Sequence, residues 1–144
     1  MSKVYVNGSS GKMGQAILDI FKKNNFNEID KIQDCDVVVD FSHPDSLNKI
    51  IDECLLKKKP LVIGTTGLSS EDFEVINKAS RIIPIMYASN FSKGILNLKK
   101  SILNFLVKSD EEYHCEIEEE HHNQKTDFPS GTAVDIREFI NQND

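Results

Sequence analysis

No stretch of this 144-residue chain approaches the roughly 18–20 consecutive apolar residues needed to span a bilayer, so no membrane helix is expected. The N-terminus, MSKVYVNGSSGKMG, has no basic segment followed by an apolar one, so it does not read as a secretory leader. Cysteine is scarce. Cys35, Cys54 and Cys115 are odd in number, far apart and form no C-x-x-C pair. That argues against a disulfide framework or a structural zinc site and suits a reducing cytoplasm. Basic charge is also short, with 17 Lys and Arg against 23 Asp and Glu and a formal net charge of −6. The one basic run, Lys57–Lys59, reads as a solvated helix end. Without a basic patch interleaved with aromatics, a nucleic-acid partner is not expected. There is no internal repeat and no low-complexity segment.

What is present is a strand–helix rhythm. Lys3–Asn7 (KVYVN) alternates and is β-branched, so it predicts a strand. A glycine-rich turn, Gly8–Gly14, follows. Met13, Ala16, Ile17, Ile20 and Phe21 then have the spacing of an amphipathic helix, which Asn24–Asn27 ends. Asp36–Asp40 (DVVVD) reads as a buried parallel strand. Pro44 and Asp45 open a helix with the stripe Leu47, Ile50, Ile51, Cys54 and Leu55. Pro60–Ile63 is a strand closed by Gly64-Thr65-Thr66-Gly67. Ser69 or Ser70 can cap a helix carrying Phe73, Ile76 and Ala79. Arg81–Met86 (RIIPIM) predicts a further strand, and its Pro84 suggests an edge position or an irregular ladder. Repeated strand–helix units with short loops call for an α/β, doubly wound parallel sheet. Ligands of such sheets sit beyond the carboxyl ends of the strands, so the loops of interest are Gly8–Gly14, Phe41–Pro44, Gly64–Gly67 and Tyr87–Ser92.

After Ser92 the texture changes. Ile95, Leu98, Ile102, Phe105 and Leu106 mark a helix within Gly94–Val107. Tyr113, Cys115 and Ile117 alternate with His114, Glu116 and Glu118, which predicts a strand with one wet face. A polar loop follows, and a last helix starts near Ser130. The expected division is 1–91 for the first domain and 92–144 for part of a second.

Gly8-Ser9-Ser10-Gly11-Lys12-Met13-Gly14 is a G-x-x-G-x-x-G arrangement between a strand and a helix. Glycines let the backbone approach a pyrophosphate, and the N–H groups of the helix start bind its charge. The spacing does not fit a Walker A loop. A plain structural turn is the competing reading. An acidic residue roughly 20 positions on is the usual ribose partner. Glu28 and Asp30 stand there, either as that partner or as solvated loop carboxylates, so NADH and NADPH both stay open.

The stretch richest in chemistry is His121–Thr132, within EEHHNQKTDFPSGTA. A histidine can move a proton near neutral pH. A lysine, Lys125, holds a carboxylate or donates a proton. Ser130-Gly131-Thr132 at a helix N-terminus can hold another anion. His121 and His122 are neighbours that face apart on a strand, and no H-E-x-x-H occurs, so no metal is expected.

The pattern E-H-H-x-x-K-x-D-x-P-S-G-T-A resembles the signature of the 4-hydroxy-tetrahydrodipicolinate reductase (dihydrodipicolinate reductase) family, which acts on the diaminopimelate route to lysine. Gly8–Gly14 (GSSGKMG), Val39–Pro44 (VDFSHP), Val62–Gly67 (VIGTTG) and Ala88–Gly94 (ASNFSKG) follow family-like patterns in the same order. The resemblance implies a Rossmann-like domain followed by part of an α+β substrate and oligomerisation domain, and a homotetramer. It implies that Gly8, Ser9, Ser10, Gly11, Lys12 and Met13 bind the pyrophosphate of NADH or NADPH. Gly64, Thr65, Thr66, Ala88, Ser89, Asn90 and Phe91 would line the nicotinamide side. His121 would be the proton donor, assisted by Lys125, and His122, Ser130, Gly131 and Thr132 would hold a small cyclic dicarboxylate. The sequence departs from the family in a compressed stretch before Asp36 and in stopping at Asp144, where family chains add several strands and a helix. A catalytically incomplete dinucleotide-binding remnant or domain fragment of this family is therefore the alternative reading.

Overall fold

The computed structural model describes residues 2–108, 113–121 and 128–143. The chain forms two compact units, Met1–Ala88 and Ser89–Asp144.

The first unit is a five-stranded parallel sheet of order β2-β1-β3-β4-β5. In chain order it contains β1 (Lys3–Asn7), α1 (Lys12–Lys23), β2 (Asn27–Glu28), β3 (Val37–Asp40), α2 (Leu47–Lys57), β4 (Leu61–Ile63), α3 (Ser70–Ala79) and β5 (Ile85–Tyr87). The chain leaves β1 toward β2 and then crosses to β3 on the other side of β1. That reversal is the switch point of a doubly wound, Rossmann-like sheet. Register there pairs Asn7 with Asp40, and Asp40 pairs in turn with Ile63. The last residues of three strands thus stand in one row.

Side-chain alternation divides the core between the two faces of the sheet. Val4 and Val6 of β1 pack with Leu18, Ile17 and Phe21 of α1, joined by Val37 and Val39. Val38, Leu61 and Ile63 pack with Leu47, Ile50, Ile51 and Cys54 of α2 and with Ile76 and Ala79 of α3. Burial also lifts the Cys54 thiol to about 12, so it stays protonated and behaves as a small apolar group.

The buried face of α1 is rotated from the expected stripe. Met13 and Ile20 are exposed, whereas Gly14 and Leu18 are buried. The cause is Gly14, where a Cβ would lie 2.1 Å from the Gly8 carbonyl oxygen. Backbone closeness at that one position turns the helix more firmly than two apolar side chains can. The residues between α1 and β3 also hold more structure than expected, since β2 pairs with β1 through Lys3–Asn27 and Val4–Glu28.

The strand expected over Arg81–Met86 is shorter and shifted, to Ile85–Tyr87. Ile82 and Ile83 donate to Ala79, finishing α3 rather than starting a strand. Pro84 has no N–H to give, but its carbonyl accepts from Leu61. β5 then runs along the sheet edge, where a proline is tolerated. Helix α3 starts in a reciprocal capping box: Ser69 accepts from the Asp72 N–H and Asp72 accepts from the Ser69 N–H. Ser69→Ala should cost about 1 kcal/mol, read from urea unfolding midpoints. No shift in the midpoint would show that the box adds nothing.

The second unit contains α4 (Lys93–Leu106) and α5 (Gly131–Asn141). Lys99 pairs with Asp135 at 2.6 Å and lies over the Phe139 ring, tying the two helices. The strand expected over Tyr113–Glu118 is absent. These residues are exposed and carry no strand pairing. Alternation alone cannot make a strand, because its backbone groups need a partner ladder, and none is found among the described residues. No helix among the described residues is long and apolar enough to cross a membrane.

Candidate functional site

Two groups of the expected residues are brought together, one in each unit.

In the first, Gly8 turns at φ +82°, a conformation open to glycine. The Gly11 N–H closes the turn on the Gly8 carbonyl at 3.0 Å. Gln15 of α1 donates its amide to the Ser9 carbonyl at 2.6 Å and so fastens the turn to the helix. Gly11 is the N-cap of α1 and supplies no side-chain acceptor. The first N–H groups of α1 are thus left for an outside anion. Ser10, Lys12 and Met13 are exposed around this helix end. The loop after β3 presses against the turn, and the loop after β4 presses against the loop after β3. A Cβ on Gly8 would lie 2.8 Å from the Phe41 carbonyl oxygen, and one on Gly64 would lie 2.1 Å from the Phe41 ring. Thr65 and Thr66 part company: Thr65 is buried with its hydroxyl on Asp40, and Thr66 is exposed. Ala88 closes the unit by donating to the Ile63 carbonyl.

In the second, Ser130 caps α5 by accepting from the Ala133 N–H at 3.1 Å. Glu119 holds this helix end. Its carboxylate accepts from the Ser130 N–H at 2.8 Å, from the Ser130 hydroxyl and from His121 Nε2 at 3.0 Å. These contacts bring His121 and Ser130 to one carboxylate. Asn90 joins the same helix end, donating to the Thr132 hydroxyl at 2.9 Å. Asn90 also accepts from the Ser92 N–H at 2.7 Å, which fixes the entry to α4. Ser89 and Phe91 flank Asn90, and Phe91 is exposed. His122 and Lys125 lie outside the described residues.

Glu119 escaped the reading of the sequence. Its neighbour Glu120 is equally acidic, and only the fold shows which of them reaches Ser130. The contacts with the Ser130 hydroxyl and N–H, and then with His121, hold the Glu119 carboxyl down at about 2. Its unfolded value is about 4.3. A depressed carboxylate stabilises the fold above the unfolded value, and that contribution is lost as pH falls from about 5 toward 2. A carbon-detected NMR titration of the Glu119 carboxyl should therefore have its midpoint well below 4, with the Ser130 amide losing exchange protection alongside. A midpoint at the ordinary glutamate value would remove Glu119 from this role.

A helix start stripped of side-chain caps beside a glycine turn suits a bound phosphate. A helix start bearing an imidazole and a fixed carboxylate suits proton movement beside an anion. Two family models match the chain: dihydrodipicolinate reductase, N-terminus, over residues 23–91, and dihydrodipicolinate reductase, C-terminus, over residues 95–144. The chain belongs to the dihydrodipicolinate reductase family. A 4-hydroxy-tetrahydrodipicolinate reductase of Rickettsia rickettsii is 38% identical over 97% of this chain and 64% of its own length. One of Caldanaerobacter subterraneus is 34% identical over 99% of this chain and 64% of its own. The chain thus spans 64% of the length of these family members. A solved structure, a dipicolinate-bound dihydrodipicolinate reductase from Paenisporosarcina sp. TG-14, matches the fold with a TM-score of 0.66 and 21% identity. It covers 99% of this chain and 66% of that one.

Proposed function

We propose that this chain serves NADH- or NADPH-dependent reduction of 4-hydroxy-tetrahydrodipicolinate to tetrahydrodipicolinate, on the diaminopimelate route to lysine. The observation that carries this reading is the meeting of His121 and Ser130 on one carboxylate at the start of α5. The membership of the family and the names of its members supply the substrate.

Residues 1–91 serve as the dinucleotide-binding domain and 92–144 as part of a substrate domain. Gly8–Met13 and the start of α1 hold the pyrophosphate, since the turn brings bare backbone and unpaired N–H groups to its charge. When bound, the reduced nicotinamide supplies a hydride. Gly64–Thr66 and Ala88–Phe91 hold the nicotinamide end in place. Glu28 ends β2, and Asp30 follows it. Carboxylates there accept hydrogen bonds from the ribose and repel a 2′-phosphate, which favours NADH.

The backbone at Gly131 and Thr132 meets one substrate carboxylate, with His122 and Lys125 on the ring and its other carboxylate. His121 delivers the proton, and Glu119 keeps its imidazole in place. A general acid so placed contributes roughly 10²–10⁴-fold. No step calls on a metal. The protein works in the cytoplasm as a homotetramer.

The test is oxidation of NADH and of NADPH by the purified chain, given enzymatically made substrate. Turnover dependent on that substrate supports the reading. A folded protein that gives none at high concentration sinks it. Calorimetric binding of NADH without turnover points instead to a binding module.

A further inference from the structure

Asp40 is fully buried, and no cation is paired with it among the described residues. A carboxylate shut away from water is costly unless donors surround it. Three donors reach it, from three different strand ends. Asn7, the last residue of β1, donates its amide to Asp40 Oδ1 at 2.8 Å. Ser42, in the loop after β3, donates its hydroxyl to the same oxygen. Thr65, in the loop after β4, donates to Oδ2 at 2.8 Å.

The donors are themselves interlocked. The Asn7 amide also reaches Ser42 Oγ at 3.1 Å, and the Ser42 N–H donates to Thr65 Oγ1 at 3.1 Å. Ser42 and Ser46 share a further hydroxyl contact at 2.6 Å. The backbone adds two bonds at the same level, Phe41 N–H to the Asn7 carbonyl and Gly64 N–H to the Asp40 carbonyl. The Phe41 ring fills the space over Gly64 that a side chain would need. The loops after β1, β3 and β4 are therefore fastened at one carboxylate. These are the loops that border the switch point, where a doubly wound sheet takes its ligand.

We propose that Asp40 is a positioning residue for dinucleotide binding, clamping the Gly8–Gly11 turn, the Phe41–His43 segment and the Gly64–Thr66 segment into one rigid edge. This rests on the cofactor reading above. Asp40 does not touch the cofactor. It acts through the loops, by setting the spacing between the turn that meets the pyrophosphate and the segment that meets the nicotinamide. An acidic residue is required because all three neighbours donate and each needs an acceptor. Asparagine has the same shape but offers one acceptor end and one donor end, so one of the three must reverse.

The test uses the full chain and two variants, Asp40→Asn and Asn7→Ala. Hydrogen exchange followed by mass spectrometry reports the loops, and NADH fluorescence titration reports binding. In Asp40→Asn, all three loop segments should lose protection together while α3 keeps its own. The NADH dissociation constant should rise roughly tenfold or more. Asn7→Ala removes one arm only, yet it should also loosen Gly64–Thr66, which holds none of the three acceptors of the Asn7 amide. Loosening confined to Phe41–His43 would overturn the clamp. So would a general loss of protection across the first unit, or unchanged NADH affinity in an Asp40→Asn protein whose loops have loosened. A parent chain that binds neither nucleotide would instead overturn the cofactor reading, and the exchange data would still decide whether Asp40 fastens the three loops.

Discussion

Alanine at Gly14 is expected to cost the first unit roughly 3 kcal/mol or more, with dinucleotide binding lost along with it. The added Cβ would stand 2.1 Å from the Gly8 oxygen and 2.6 Å from the Ser9 Cα. Both neighbours are backbone atoms, so no rotamer change relieves the clash. Helix α1 must move away from the turn and from Val4 and Val6, against which it packs. Gly11→Ala is the control. Its Cβ would meet only the Gly8 oxygen, at 3.3 Å, and its φ of −77° suits alanine. That variant should fold nearly as well as the parent and, under the proposed cofactor reading, lose affinity for NADH, because the methyl group would stand in the way of the pyrophosphate. Denaturant melts and NADH titrations of both variants separate the two effects. A Gly14→Ala protein with parental stability would show that α1 is not held to the turn in this way.

Replacing His121 with glutamine is expected to lower kcat by roughly 10²–10⁴-fold, as removal of a general acid does. Stability should barely change. The imidazole is about a third exposed, and Glu119 keeps both of its bonds to Ser130 without it. The start of α5 therefore stays capped in the variant. The KM for the substrate should move much less than kcat, since the proposed contact of the Gly131 and Thr132 backbone with the carboxylate does not involve His121. Steady-state kinetics beside a thermal melt read both quantities. An unchanged kcat in a folded variant would remove His121 from proton transfer.

The elements most readily seen in the sequence are those whose partners are close along the chain. The α2 stripe of Leu47, Ile50, Ile51 and Cys54 is buried as its spacing predicts. The β-branched run before Asp40 forms β3 in the middle of the sheet. Ser69 and Ser130 cap their helices because capping needs only residues a turn away. The glycine turn was legible for the same reason, since strand, turn and helix follow directly. What could not be read depended on distant neighbours. The buried side of α1 follows from the contact between Gly14 and the Gly8 oxygen, which hydrophobic spacing does not register. The alternation over Tyr113–Glu118 looked like a strand but meets no ladder among the described residues. Asp40 read as the end of a strand, and nothing along the chain marks it as the acceptor for Asn7, Ser42 and Thr65.

By itself the sequence determined the class of the fold and the family, and it pointed to the loops proposed for the chemistry. Those rest on local periodicity, on glycine and capping residues, and on motifs whose members lie within a few positions of one another. Only the tertiary structure decided which carboxylates serve those loops. Of the paired Glu119 and Glu120, Glu119 joins His121 to Ser130, and Asp40 gathers Asn7 and Thr65, which lie 33 and 25 residues from it along the chain. A carboxylate takes its role from the donors that folding brings to it, and in this protein the decisive donors come from other strands and from the start of another helix.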